Sequence, residues 1–108
     1  MNNVVHVLPV SGHPGMPLPG EYSVKSQSLQ SYSIADYNVR FKYMTRFALG
    51  PEKGNIGFHA IPTKNGKPLQ TEEQLGDFRS SGCVRMSTKD AKFVYNFAKI
   101  GTKVVVVP

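Results

Sequence analysis

The sequence has one cysteine, few acidic side chains and no long apolar run. Without a second cysteine, Cys83 cannot form an internal disulfide, so packing alone must hold the fold. The longest unbroken apolar run, Val104 to Val107, is far shorter than the roughly 20 residues that cross a bilayer. The N-terminal residues lack the basic start and long apolar stretch of a secretory signal, which leaves a cytosolic protein or one whose signal is not in this chain.

The composition favours a small globular domain of mainly β structure. Apolar residues make up 40% of the 108 residues and charged residues 19%, which is typical of a chain with a core. The 10 glycines and 8 prolines favour strands and turns over a helical bundle. The 13 basic residues outnumber the 7 acidic ones, and the net charge of +6 suits either solubility or work beside anionic polymers. We expect one domain.

The clearest strand covers residues 39–49, where every second side chain is mostly apolar. The intervening side chains form a basic face, Arg40, Lys42 and Arg46, which is either a solvated sheet surface or an anion-binding surface. A second strand at 55–62 carries His59. The remaining pattern predicts a short strand at 4–8 and an interior strand at 102–107. Between them it predicts a stiff Pro-rich loop at 13–20, an Asn-Gly reversal at 64–67 and a capping box at Thr71–Gln74. A helix is expected to begin at Ser87 or Thr88 and to end at Gly101.

The helix has two apolar stripes. One holds Phe93, Phe97 and Ile100, and the other holds Ala91, Val94 and Ala98. We expect the aromatic stripe to pack on the sheet.

Cys83 and His59 are the candidates for chemistry. Cys83 follows the flexible Gly82, has an arginine on either side and precedes a helix N-terminus, and these features favour the nucleophilic thiolate. A free cysteine is also often a buried small hydrophobe, and a lone strand histidine is often structural. A cysteine nucleophile needs a neutral imidazole to take its proton and a third group to orient the ring. One cysteine and three scattered histidines offer no paired metal motif.

In order along the chain, these motifs resemble the L,D-transpeptidase catalytic domain, or YkuD family. The signature residues are Gly57-Phe58-His59-Ala60 and Ser80-Ser81-Gly82-Cys83-Val84-Arg85-Met86. The stretches at 9–22, 90–91 and 101–106 also match. The resemblance implies an L,D-transpeptidase-like β-sandwich or mixed sheet with one α-helix in the C-terminal half. Residues 1–108 would be one catalytic domain, excised or trimmed at its N-terminus and lacking the family's first strands.

The resemblance also implies roles for individual residues. Cys83 would be the nucleophile, His59 the base, and the Ala60 backbone carbonyl the group that orients the imidazole. The backbone N–H groups of Gly82 and Cys83 would bind the oxyanion. The substrate-binding residues would be Ser80, Ser81 and Arg85, with Arg85 holding either the loop or a substrate carboxylate.

Two features depart from the family pattern. Ser81 stands where the family usually has histidine, which would reduce activity or change the acceptor. His59 and Cys83 are farther apart in sequence than the family pattern leads us to expect, and we interpret the excess as an enlarged flap.

The activity implied is acyl transfer on peptidoglycan stem peptides through a thioester, with no metal or organic cofactor. Carbapenem β-lactams would acylate the enzyme, and the protein would work as a monomer in the cell wall or periplasm, without nucleic acid and without a membrane segment in this chain. Two alternatives stay open. One is an L,D-carboxypeptidase that uses the same residues, and the other is an inactive basic module that binds wall polymer or nucleic acid.

Overall fold

The computed structural model describes residues 6–33, 36–49, 55–80 and 82–108. Within these ranges the chain forms eight strands, one α-helix and one turn of 3-10 helix at Glu72–Gln74. The strands are β1 Gly20–Ser23, β2 Ser26–Tyr32, β3 Val39–Leu49, β4 Asn55–Ala60, β5 Thr63–Lys64, β6 Lys67–Pro68, β7 Val84–Met86 and β8 Lys103–Val106, and the helix α1 spans Thr88–Phe97. None of the described helices is long and apolar enough to cross a membrane. The fold is mainly β with a single helix, as the sequence predicts.

The long strand β3 organises the main sheet. Strand β2 pairs antiparallel with it along one side, and on the other side β4 and β5 pair with opposite ends of it. Strand β7 joins the outer edge of β4 in parallel, so the main sheet is mixed. Strands β1 and β8 form a separate antiparallel pair.

The apolar alternation predicted for β3 is interrupted in its middle. Tyr43 has a positive φ of 56°, and the pairing with β4 shifts register between Arg46 and Ala48. As a result Phe41 stacks on His59, whereas Tyr43 packs edge-on against Tyr95 of the helix. The two aromatic residues that simple alternation assigns to one face therefore lie on opposite sides of the sheet.

The helix packs on the sheet through its small side chains, and the predicted packing of its aromatic stripe is wrong. Ala91 and Ala98 are buried, while Phe97 is 72% exposed and Ile100 70% exposed. The sheet supplies the large core aromatics, Phe47 and Phe58, and small helix residues allow the close approach that these aromatics need.

A half-buried side-chain amide holds the end of the helix against the sheet. Gln27 Nε2 donates to the backbone carbonyls of Tyr95 at 2.7 Å and Ala98 at 3.0 Å. These bonds satisfy carbonyls that the end of a helix leaves without an intrahelical partner.

The last strand also differs from its prediction. It does not lie in the interior of the main sheet but pairs with β1 alone, and only Val104 and Val106 contact the core. Val105 points away and is 55% exposed, because a two-stranded sheet has one face on the core. Of the strand predicted at 4–8, residues 4 and 5 lie outside the described residues, and Val7 and Leu8 belong to no strand.

Three local predictions are confirmed. Asn65 and Gly66 have φ values of 52° and 81° and join β5 to β6. The Gln74 side chain accepts a hydrogen bond from the Thr71 backbone N–H at 3.0 Å. The Ser87 hydroxyl caps α1 by accepting from the Asp90 N–H at 3.1 Å.

Candidate active site

The candidate site lies on the face of the main sheet opposite the helix. Across the ladder, Arg46 of β3 is paired with Gly57 of β4, and His59 of β4 is paired with Arg85 of β7. Paired residues, and residues two apart on one strand, point to the same face of a sheet. Arg46, His59 and Arg85 therefore share this face. Cys83 lies just before β7, and the Gly57 backbone N–H and the charges of Arg85 and Arg46 act on its thiol, so the sulfur lies at the same face.

His59 is buried and held in one orientation. It is 3% exposed, and its Nδ1 lies 2.6 Å from the Ala60 backbone carbonyl oxygen. Because a carbonyl only accepts, Nδ1 carries the proton and Nε2 keeps a free lone pair. The ring of Phe41 stacks on the imidazole at a centroid distance of 4.1 Å.

The surroundings of His59 favour the neutral imidazole. Burial lowers its pKa from 6.5 to about 4, the Ala60 carbonyl opposes this shift, and the charge of Arg85 adds to it. At neutral pH the imidazole is therefore uncharged, and its Nε2 is free to accept a proton.

Cys83 is half-buried beside the first residues of β4. Its thiol donates to the Asn55 backbone carbonyl at a sulfur-to-oxygen distance of 3.4 Å. Burial raises the pKa of the thiol, while the Gly57 backbone N–H and the charges of Arg85 and Arg46 act in the opposite direction. Burial outweighs the positive charges that the sequence suggested would favour thiolate, so the resting group is a thiol.

Two glycines make room for the cysteine loop. A Cβ at Gly57 would lie 2.1 Å from the Thr45 backbone oxygen, so only glycine allows β3 and β4 to approach here. Gly82 has a φ of 146°, which side chains disfavour, and its backbone N–H donates to the Ser80 hydroxyl at 3.2 Å. The Ser80 hydroxyl in turn donates to the Cys83 carbonyl. Ser80 thus braces the loop, and the Gly82 N–H already has a partner.

A chain of buried polar groups orients Arg85. Its Nη1 donates to Gln70 Oε1 at 3.1 Å, and Gln70 Nε2 donates to the Ser11 hydroxyl at 3.1 Å. Gln70 is 4% exposed and Ser11 is 1% exposed. The backbones of Ser11 and Arg85 also exchange two hydrogen bonds, of 2.8 and 2.7 Å. The segment before β1 and the connection between β4 and β7 therefore both support Arg85.

Of the predicted set, His59 and Ala60 lie on β4, Arg85 lies on β7, and Ser80, Gly82 and Cys83 lie in the segment before β7, whereas Ser81 lies outside the described residues. The charge of Arg85 acts on both His59 and Cys83, but among the described residues no hydrogen bond joins the Cys83 sulfur to the His59 ring. Sequence reasoning missed three contributors, Phe41, Gln70 and Ser11. Alternation placed Phe41 only among the apolar side chains of residues 39–49, Ser11 lies in the matching stretch 9–22 without a predicted role, and no motif includes Gln70. Across the described part of the chain, no three His, Cys, Asp or Glu side chains group closely enough to hold a metal ion.

Comparison with known proteins places this geometry in a family. The model of the L,D-transpeptidase catalytic domain (YkuD) matches residues 10–106. YciB of Bacillus subtilis, itself a candidate L,D-transpeptidase, is 46% identical over 55 residues, which are 49% of this chain and 28% of that protein.

Solved structures share the fold. The L,D-transpeptidase LdtMt1 in complex with imipenem superposes with a TM-score of 0.71 at 19% identity, over 95% of this chain and 49% of that one. An L,D-transpeptidase from Mycobacterium smegmatis gives 0.71 at 17% identity, over 96% of this chain and 49% of that one. The chain thus spans about half the length of these structures and less than a third of YciB. Since the family model spans nearly the whole sequence, the chain belongs to the L,D-transpeptidase catalytic domain (YkuD) family.

Proposed function

We propose that this chain is the catalytic domain of a cysteine L,D-transpeptidase that acts on peptidoglycan stem peptides. One observation carries the proposal: His59 of β4 is paired with Arg85 of β7, the charge of the same Arg85 acts on Cys83 just before β7, and the imidazole is buried, oriented and neutral. The family membership supplies the class of reaction. The domain would work outside the cytoplasm, at the cell wall, and residues 1–108 would act as one domain and as a monomer.

The protonation states suit general-base activation of the thiol. A thiol with a raised pKa is a weak nucleophile until its proton leaves, and a neutral imidazole can take that proton as the sulfur attacks. The Ala60 carbonyl holds the proton on Nδ1, which leaves Nε2 of His59 as the accepting atom. For this transfer the sulfur exchanges its bond to the Asn55 carbonyl for one to His59.

The first half-reaction would form a thioester. Sulfur of Cys83 attacks the carbonyl carbon of the donor peptide, a C–S bond forms, and the thiol proton moves to Nε2 of His59. The carbonyl oxygen becomes an oxyanion, for which the Cys83 and Gly82 backbone N–H groups are the proposed donors. Since the Gly82 N–H bonds to Ser80 in this structure, the oxyanion would replace the Ser80 hydroxyl. The C–N bond then breaks and the imidazolium protonates the departing amine of the D-amino acid.

The second half-reaction would transfer the acyl group. The amine of a neighbouring stem attacks the thioester, His59 takes a proton from that amine, and the thiolate leaves and is reprotonated. Arg85 is the proposed binding group for a substrate carboxylate, and Ser80 and Ser81 are the other proposed substrate-binding residues. Every step uses groups of this chain and of its two substrates. If water replaced the amine, the same residues would give a carboxypeptidase, and analysis of the products separates the two reactions.

Acylation by a carbapenem tests the proposal directly, since LdtMt1 has been solved with imipenem. Intact mass after incubation with imipenem is expected to show one adduct on the parent chain and none on Cys83→Ala. His59→Ala should slow adduct formation by about 10² to 10⁴-fold, whereas the matched exposed-site variant His13→Ala should react like the parent. A folded parent chain without an adduct, or an adduct that persists in Cys83→Ala, would contradict the proposal.

A further inference from the structure

Arg46 is set apart from the other cations of the basic face. Arg40 and Lys42 are exposed on the same strand, whereas Arg46 is half-buried and its side chain lies on the Cys83 face of the sheet. The sequence pattern predicts one basic face for all three residues, whereas in the structure Arg46 differs from the other two in its burial.

Three serine hydroxyls hold the Arg46 guanidinium. Its Nη1 donates to Ser28 at 2.9 Å and to Ser26 at 3.4 Å, and its Nη2 donates to Ser31 at 3.2 Å. All three serines come from β2, the strand next to β3. Hydroxyls fix the orientation of a guanidinium but leave its positive charge uncompensated.

No carboxylate pairs with Arg46 in the described ranges. The ion pairs there join Lys64 to Asp36, Arg79 to Asp77, and Lys103 to Glu21. Arg85 is likewise held by a neutral group, the Gln70 amide, and takes part in none of these pairs. Among the described residues, two half-buried guanidiniums on one face therefore have no carboxylate partner, although guanidinium groups bind carboxylates strongly and in fixed geometry.

The two arginines lie in different directions from the nucleophile. Arg85 lies on β7, two residues after Cys83 in the sequence. Arg46 lies across β4, in the row of the ladder that contains Gly57, whose backbone N–H faces the sulfur. Gly57 lies against the backbone of β3, since a Cβ there would be 2.8 Å from Arg46 Cα, so Arg46 and the sulfur flank the same residue of β4. A carboxylate bound at Arg46 would therefore be separate from one bound at Arg85.

We infer that Arg46 is a second anion-recognition residue of the site, which binds a substrate carboxylate across β4 from Cys83. The inference rests on the proposed function. It predicts that the acyl donor is a peptide with two free carboxylates, which lie in different directions from the attacked carbonyl. The serines of β2 position the guanidinium, and Gln70 does the same for Arg85.

Alkylation of Cys83 by a matched pair of reagents tests this inference without a peptide substrate. Iodoacetate and iodoacetamide both need the thiolate. The rate constant for iodoacetate divided by that for iodoacetamide therefore cancels changes in thiol pKa and reports the attraction of the site for an anion. That ratio is expected to be higher for the parent chain than for N-acetylcysteine. Arg46→Gln should lower it about fivefold, the factor for one unit charge about 5 Å away in a largely aqueous site.

Lys42→Gln is the control, because it removes the same charge from an exposed position on the same strand. It should leave the ratio within about 1.5-fold of the parent, since an exposed charge farther away is screened. An Arg46→Gln ratio equal to that of the parent, or an equal fall in both variants, overturns the inference.

A second measurement keeps the test decisive if Arg46→Gln does not fold. In the parent chain, glutarate should protect Cys83 from iodoacetamide at concentrations at least about tenfold lower than its monoamide, because only the dianion engages two guanidiniums. Equal protection overturns the inference. The imipenem adduct reports the proposed function separately: a charge-dependent ratio without an adduct refutes the transpeptidase, and an adduct with an unchanged ratio refutes the role of Arg46.

Discussion

Protonation of His59 should make the fold sensitive to mild acid. The imidazole is buried with a pKa of about 4, against 6.5 when it is unperturbed. Between these values the unfolded chain binds a proton that the native chain does not, so the free energy of unfolding falls as the pH falls. At about 1.4 kcal/mol per pKa unit, the full loss is about 3 kcal/mol, of which about 2.5 kcal/mol is gone at pH 4.5.

Urea unfolding followed by circular dichroism at pH 7.5 and pH 4.5 measures this loss. Carboxylates also titrate in this range, so the contribution of His59 is the difference between the parent chain and His59→Gln, which cannot titrate. The parent should lose about 2.5 kcal/mol more than His59→Gln over this interval. His13→Gln removes an exposed histidine and should lose as much as the parent. If His59→Gln loses as much stability as the parent, His59 is not held neutral by burial and the reasoning fails.

Two further predictions concern packing. Gly57→Ala should cost about 3 kcal/mol in the free energy of unfolding, because the new Cβ would meet the backbone of β3, whereas Gly12→Ala adds a methyl group to open space and should be nearly neutral in the same denaturation assay. Phe47→Ala should cost about 4 kcal/mol and Phe97→Ala less than about 0.5 kcal/mol, because Phe47 is 1% exposed and Phe97 is 72% exposed. Equal costs for the two phenylalanines would mean that the helix packs through its aromatic stripe.

Local patterns predicted the elements of the fold well. Alternation gave the whole of β3, and the Asn-Gly pair and the serine cap marked a turn and a helix start, because these signals depend on a few adjacent residues. The orientation of the helix was not predicted correctly because it depends on whether the helix or the sheet supplies the large side chains of the core. Phe47 and Phe58 fill the core from the sheet, and a sequence pattern does not show that this space is already occupied.

The residues of the candidate site also fall into two groups, those that local motifs predicted and those that only the tertiary fold shows. Cys83, His59 and Arg85 stand in motifs, and strand register then pairs His59 with Arg85. Gln70 and the serines around Arg46 are ordinary polar residues, and only the tertiary fold shows which guanidinium each of them contacts. The direction of the Cys83 pKa shift could not be predicted from the sequence either. The neighbouring arginines are visible in the sequence, but the burial of the sulfur is not.

The parallel pairing of β4 with β7 separates the relative position of His59 and Arg85 from the length of chain between them. Register aligns His59 with Arg85, and the connection from Ala60 to Val84 has to return to the same edge with Gln70 beside Arg85 and β5 beside β3. Doubling such a loop adds about 0.6 kcal/mol of closure entropy. The rest of this connection can therefore change in length, and with it what reaches the sulfur, while the register of β4 and β7 still places His59 beside Arg85.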